Sequence, residues 1–195
     1  FPVDIFQTGS GTSTNMNANE VIANISSKAS GLQISPNDHV NMSQSSNDVI
    51  PTGINLSSYH DLSHYLLPSI AKLIDSIDNK IISVNKVTKT GRTHLMDAMP
   101  ITMGQELSAW RDALSNSEKV LNKISNDLLR VPQGGTAVGT GINAHRSFSK
   151  EFSKEASKII NAKVSSSNNS FQSLSLQDSS VRLSSELRNL ATILM

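Results

Sequence analysis

Four short polar segments hold the residue types that could do chemistry. In Gly9-Ser10-Gly11-Thr12-Ser13-Thr14-Asn15, two glycines and several hydroxyls stand just before a stretch of helical periodicity. Unpaired N–H groups at a helix start, the positive end of the helix dipole and nearby hydroxyls together suit an anion such as a carboxylate or phosphate. A plain N-cap with a flexible turn would use the same residues. A dinucleotide fingerprint would need a preceding strand and a third glycine, where position 14 is Thr. Ser43-Gln44-Ser45-Ser46-Asn47-Asp48 repeats the pattern ahead of a helix whose first turn tolerates Pro51. One cap needs one such residue, and Ser45, Ser46 and Asn47 exceed that need. The third segment, Thr90-Gly91-Arg92-Thr93-His94-Leu95-Met96-Asp97, sets His94 at an expected helix boundary near Arg92 and Asp97. The role there is either acid–base chemistry or that of an ordinary loop histidine. The fourth, Gln133-Gly134-Gly135-Thr136-Ala137-Val138-Gly139-Thr140-Gly141, is too rich in glycine for a helix interior, where each costs about 1 kcal/mol relative to Ala. Close backbone packing or an irregular turn near a ligand is its expected use.

Other chemistries are excluded or weak. No cysteine is present, which removes a disulfide framework, thiolate zinc, a cysteine nucleophile and a cysteine-held iron–sulfur cluster within these residues. His60-Asp61-Leu62-Ser63-His64 has two imidazoles at i and i+4, but no third ligand suggests itself, and a surface helix face is the expected reading; no metal is expected. The 17 Lys+Arg against 16 Asp+Glu leave a net charge of +1, too even for a nucleic-acid binder or a polybasic membrane binder. No apolar run approaches the roughly 20 residues of a membrane span. Charged residues are only 17% of the chain, and uncharged Ser, Asn and Thr fill the gap, a composition suited to hydrogen-bonding pockets.

These segments must be held by helices. Leu67, Ile70, Ile74, Ile77, Ile81 and Val84 recur in steps of three and four, as do Leu107, Trp110, Leu114, Leu121, Ile124 and Leu128, with Ser117 as a polar interruption. Leu183, Leu187, Leu190 and Leu194 repeat the rhythm. Such narrow stripes predict antiparallel bundle helices crossing at about 20°. Shorter helices are expected over 15–29, after Asn47 and over 148–162. No βαβ unit or run of hairpins is expected, so the fold class is all-α. Breaks fall at 9–11, 31–38, Gly91 with Pro100 after it, 132–141 and the Ser/Asn tract 165–170, read as a surface loop. The chain starts Phe1-Pro2 without an initiator Met and stops inside an apolar-periodic stretch, so it is read as a piece of a longer protein, incomplete at both ends.

Taken together, the first three segments, the fourth from Gly134 to Gly141, and Pro36-Asn37-Asp38-His39-Val40-Asn41 resemble the class II fumarase family in order and spacing. Within the wider superfamily of aspartase and argininosuccinate lyase, Ser10-Gly11-Thr12 and Thr93-His94 favour the fumarase branch, since aspartases typically carry Gly-Val and Thr-Gln there. The resemblance implies a long helix bundle, with the end of an N-terminal domain in 1–44 and the first part of the central long-helix domain in 45–195. It implies reversible hydration of fumarate to L-malate without a cofactor, in the cytoplasm or, in a eukaryote, the mitochondrial matrix, as part of the tricarboxylic acid cycle. Ser10, Gly11, Thr12, Ser45, Ser46 and Asn47 would hold the substrate's carboxylates, Thr93 would bind substrate, and His94 would give or take a proton. The family builds each site from three subunits of a homotetramer.

Departures from the family are visible too. Its flexible loop Gly-Ser-Ser-x-Met-Pro-x-Lys-x-Asn, with the serine taken as base, is not among these residues, so this piece alone is expected to be inactive. Ser35 replaces the histidine that usually precedes Pro36, Asn37 and Asp38 in a second dicarboxylate site, and Gln172 stands where the family has Glu. The alternatives are an aspartase-like ammonia-lyase of the same superfamily and a non-catalytic helical oligomerisation fragment.

Overall fold

The computed structural model describes residues 1–195 except Pro2 and Thr8. Helices carry the architecture, and each starts and stops for local reasons. The first, α1 (Thr12–Ser30), begins after Gly11 and ends at Gly31, both in the left-handed region, and the Gly31 N–H closes the last turn on the Ser27 carbonyl. Gly is the residue that reaches this conformation without a Cβ penalty. A π-type turn, Pro36–Val40, follows, its Asp38 N–H capped by the Ser35 hydroxyl. Next come α2 (Ser46–Asp61), a second π-type turn (Leu62–Leu66) and α3 (Leu67–Val84), with Pro68 in the first turn of α3, where its missing N–H costs nothing. Beyond a hairpin of β1 (Thr88–Thr93) and β2 (Met96–Thr102) runs α4 (Met103–Leu128). The chain continues through β3 (Arg130–Val131), α5 (Phe148–Ile160), β4 (Ser165–Ser166), α6 (Ser170–Ser175) and α7 (Asp178–Leu194).

The chain divides into two compact units. The first comprises Phe1–Tyr59 and Asp127–Ser180. Its apolar centre is Leu129, Val131, Ala156 and Val164, against which Leu56 and Tyr59 of α2 and Phe152 and Ile160 of α5 pack. β3 and β4 pair in parallel, Arg130 beside Ser165 and Val131 beside Ser166. The tract 165–170, expected to be a surface loop, therefore splits into a strand and the start of α6. Backbone pairing, which polar serines satisfy as well as apolar residues do, overrides the composition signal there.

The second unit comprises His60–Asn126 and Val181–Met195. In it α3 and α4 run antiparallel: Asn85 lies against Gly104, and Asp78 faces Arg111 at 3.7 Å. Burial on α4 falls at Leu114, Ser117, Leu121 and Ile124, which is the stripe expected from the sequence. The polar interruption has a partner, since Ser117 Oγ donates to Glu186 Oε1 of α7 at 2.6 Å. Burial also includes Ile70 of α3 and Leu190 of α7. The stripes are not covered throughout: Trp110 is 57% exposed, and Leu187 and Leu194 are also exposed. Leu121 is fully buried, so Leu121→Ala is expected to lower stability by about 2–5 kcal/mol, read as a lower denaturation midpoint in urea.

The hairpin 88–102 corrects the expectation of a loop at a helix boundary. β1 is polar along its length and β2 places apolar residues on both faces, so no hydrophobic alternation marks either strand, and Gly91 sits at a bulge in the register between Thr90 and Arg92. Its two-residue turn places His94 (φ 47°) and Leu95 (φ 62°) both at positive φ. Hairpin turns of that hand normally carry Asn-Gly or Asp-Gly, and His-Leu hides the signal.

Candidate functional site

Two helix starts lie side by side in the first unit. Gly11, the N-cap of α1, packs so closely on α2 that an added Cβ would come within 2.6 Å of Ile50 Cγ1. From the first turn of α1, Asn15 Nδ2 donates to Ser46 Oγ at 2.9 Å and to Asn41 Oδ1 at 3.3 Å, and Asn19 Nδ2 reaches the same Asn41 oxygen at 3.0 Å. Asn15 and Asn19 are buried, so their amides need these partners. The polar-segment pattern reaches Asn15, which also opens the helix expected over 15–29, but does not reach Asn19. Two amides at i and i+4 on an otherwise amphipathic helix are the signal that would have found them.

The second helix start is fixed from below. Asp48 Oδ1 accepts the Ser45 N–H at 2.9 Å, the reciprocal half of a capping arrangement, and Ser45 Oγ accepts the Asn47 N–H at 3.2 Å. Asp48 Oδ2 accepts the N–H groups of Gly134 at 3.0 Å and Thr136 at 2.9 Å, and Asn47 Nδ2 donates to the Ala137 carbonyl at 2.8 Å. The glycine-rich segment thus packs under the residues 45–47, as close backbone packing requires: Gly134 (φ +99°) leaves no room for a Cβ against Ser149.

Chemically, this places hydrogen-bond donors at one surface. The hydroxyl oxygens of Ser45 and Ser46 already accept, from Asn47 N and Asn15 Nδ2, which leaves each hydroxyl proton to donate to an incoming anion. Thr12 is exposed at the start of α1, Ser10 is exposed beside it, and the two helix dipoles favour negative charge there. Ser10, Gly11, Thr12, Ser45, Ser46 and Asn47 are therefore brought together in one unit.

Thr93 and His94 belong to the second unit, at the tip of the hairpin, both exposed. His94 makes no hydrogen bond or ion pair among the described residues. Arg92 and Asp97, expected near it, pair with each other across the strands, Nε to Oδ1 at 3.2 Å. Ser35, Pro36, Asn37 and Asp38 form the start of the first π-type turn, where Ser35 Oγ donates to Asp38 Oδ2 at 2.9 Å and the Ser35 N–H donates to His39 Nδ1 at 2.8 Å. The His60 and His64 rings stack at 4.5 Å on an exposed face. Among the described residues no group of three or more His, Asp or Glu side chains could hold a metal ion.

Burial holds the Asp48 carboxyl above the ordinary carboxylate range, against the backbone N–H groups of Ser45, Gly134 and Thr136, which pull it down. Between its ordinary and its raised value the native state keeps a proton that the unfolded chain has lost, so this group makes stability rise as pH falls through that window. Above the raised value both states are ionised and the buried charge carries its full cost. Asp48→Asn is expected to flatten this part of the pH dependence, measured by chemical denaturation at several mildly acidic pH values.

The chain matches a lyase family over all of residues 1–195, and it belongs to that family. Its relatives narrow the likeness. It is 46% identical over 200 residues to the class II fumarate hydratase of Prochlorococcus marinus, covering 100% of this chain and 43% of that protein. Against the class II fumarate hydratase of Xylella fastidiosa (strain Temecula1) identity is 48% over 195 residues, covering 100% and 41%. The crystal structure of recombinant class II fumarase from Schistosoma mansoni superposes with a TM-score of 0.92 at 35% identity, covering 100% of this chain and 45% of that one. The chain spans less than half the length of the curated relatives it matches. The resemblance to class II fumarase and the all-α fold class are thus borne out. Among the described residues no helix is long and apolar enough to cross a membrane.

Proposed function

We propose that the protein catalyses the reversible hydration of fumarate to L-malate, as a class II fumarate hydratase. The observation that carries this reading is the pair of adjacent helix starts presenting Thr12, Ser45, Ser46 and Asn47 to one surface. Removing the weakly acidic proton beside a carboxylate piles negative charge onto the carboxylate oxygens. Donors fixed in advance stabilise that charge, a single one being worth about 3–4 kcal/mol in a comparable oxyanion site. Hydroxyls, amides and helix starts are such donors. The identity of 46–48% to class II fumarate hydratases along the whole of this chain supports the same reading.

Ser10, Gly11, Thr12, Ser45, Ser46 and Asn47 hold the substrate's carboxylates, Thr93 adds a further donor, and His94 gives or takes a proton in the anti addition of water. Ser35, Pro36, Asn37 and Asp38 form a second dicarboxylate site. In the whole protein, residues 1–44 end an N-terminal domain and 45–195 begin the central helical domain. The working form is a homotetramer whose sites are shared between subunits. Exposed apolar side chains on the helices, Trp110 and Val181 among them, support burial against further chains. The setting is the cytoplasm, or the mitochondrial matrix in a eukaryote, and the tricarboxylic acid cycle.

The test is the ultraviolet absorbance of fumarate incubated with the full-length protein, with and without ammonium. Loss of fumarate in water alone supports the hydratase. Loss only with ammonium would point to an aspartase-like lyase, and no loss in either would leave an assembly module.

A further inference from the structure

Residues 45–47 are not held by their own helix alone. Asp48 is fully buried, and its partners are all backbone N–H groups, drawn from its own helix start and from a segment 86–88 residues further along the chain. Resting on the hydratase reading above, we propose that Asp48 is a positioning residue of the fumarate-binding site: its two carboxylate oxygens clamp the start of α2 onto the 134–137 segment and so aim the Ser45 and Ser46 hydroxyls at the substrate.

Three features carry the inference. Oδ1 faces Ser45 and Oδ2 faces the other segment, so a carboxylate accepts on both sides where an amide has only one accepting atom. The 134–137 segment is strained: Thr136, a β-branched residue, sits at φ 55°, and its hydroxyl is buried without a partner. Such a conformation persists only where its surroundings over-determine it, and Asp48 holds both ends of the Gly134–Thr136 turn by their N–H groups, beside the bonds from Asn47 to Ala137 and from Gln133 to Gln44. Finally, Ala137, the acceptor of the Asn47 side chain, lies in the same segment, so releasing the clamp moves a neighbour of the binding residues as well.

The test is steady-state kinetics of fumarate hydration in the full-length protein, comparing wild type, Asp48→Asn and Val131→Ala. Val131 is buried in the apolar centre of the same unit, so its truncation lowers the melting temperature without touching the clamp. The Ser45 and Ser46 hydroxyls meet a carboxylate that is charged in the ground state and gains charge in the transition state, so Asp48→Asn is expected to raise KM by roughly tenfold or more and to lower kcat as well. Val131→Ala is expected to leave KM unchanged. Equal KM in Asp48→Asn and wild type, or an equal rise in Val131→Ala, overturns the proposal. Should Asp48→Asn not fold, Gly134→Ala displaces the clamp from its other side with Asp48 intact and must raise KM in the same way; an unchanged KM there contradicts it. A wild type that does not hydrate fumarate overturns the functional reading itself and Asp48's role with it, whereas an active wild type with an unshifted Asp48→Asn overturns Asp48 alone.

Discussion

Replacing His94 by Gln is expected to leave the protein folded and to lower the rate of fumarate hydration by about 100- to 10,000-fold, the usual share of general acid–base catalysis. The separation of the two effects follows from its setting. His94 is exposed at a hairpin tip and bonds to no other described residue, so a polar replacement of similar length changes stability by no more than about 0.5 kcal/mol. Glutamine can still donate and accept hydrogen bonds but cannot exchange a proton near neutral pH. The fall should therefore lie in kcat more than in KM. Steady-state kinetics, with a melting curve as control, checks this; an unchanged rate removes His94 from the chemistry.

Gly11→Ala is expected to be a strongly damaging small substitution in the first unit. At φ +70° an alanine carries about 1–2 kcal/mol of left-handed strain. Its Cβ would also stand 2.6, 2.9 and 3.0 Å from three carbons of Ile50, an overpacking that costs about 1–3 kcal/mol more. Together these predict a loss of about 2–5 kcal/mol, and a raised KM because residues 10–12 must move off α2. Gly31→Ala is the internal comparison. Gly31 has nearly the same φ, +72°, but nothing within 4 Å of the added Cβ, so only the strain of about 1–2 kcal/mol applies. Urea denaturation of the two variants separates packing from conformation, and equal losses would show that the contact with Ile50 is immaterial.

Much of this architecture was legible in the sequence because helical burial leaves a period. The stripe from Leu67 to Val84 coincides with α3, and the polar interruption at Ser117 became a bond to Glu186 rather than a break. The hairpin was not legible, since its strands bury neither face and its turn uses His94-Leu95 in place of small residues. At the two helix starts, Thr12, Ser45, Ser46 and Asn47 are legible by type and spacing as more polar residues than a cap needs. The residues that hold them are not. Asp48 and Gln133 act through contacts across dozens of residues, which no local pattern encodes; Gln133 is buried and bonds Gln44 from 89 positions away.

The most direct test is proton NMR of fumarate in heavy water with the full-length protein. Anti addition of water predicts L-malate carrying a single deuterium at C3, in one diastereomer only. A fumarate spectrum that stays unchanged, or deuterium scrambled between both C3 positions, would contradict a fumarate hydratase built on these two helix starts.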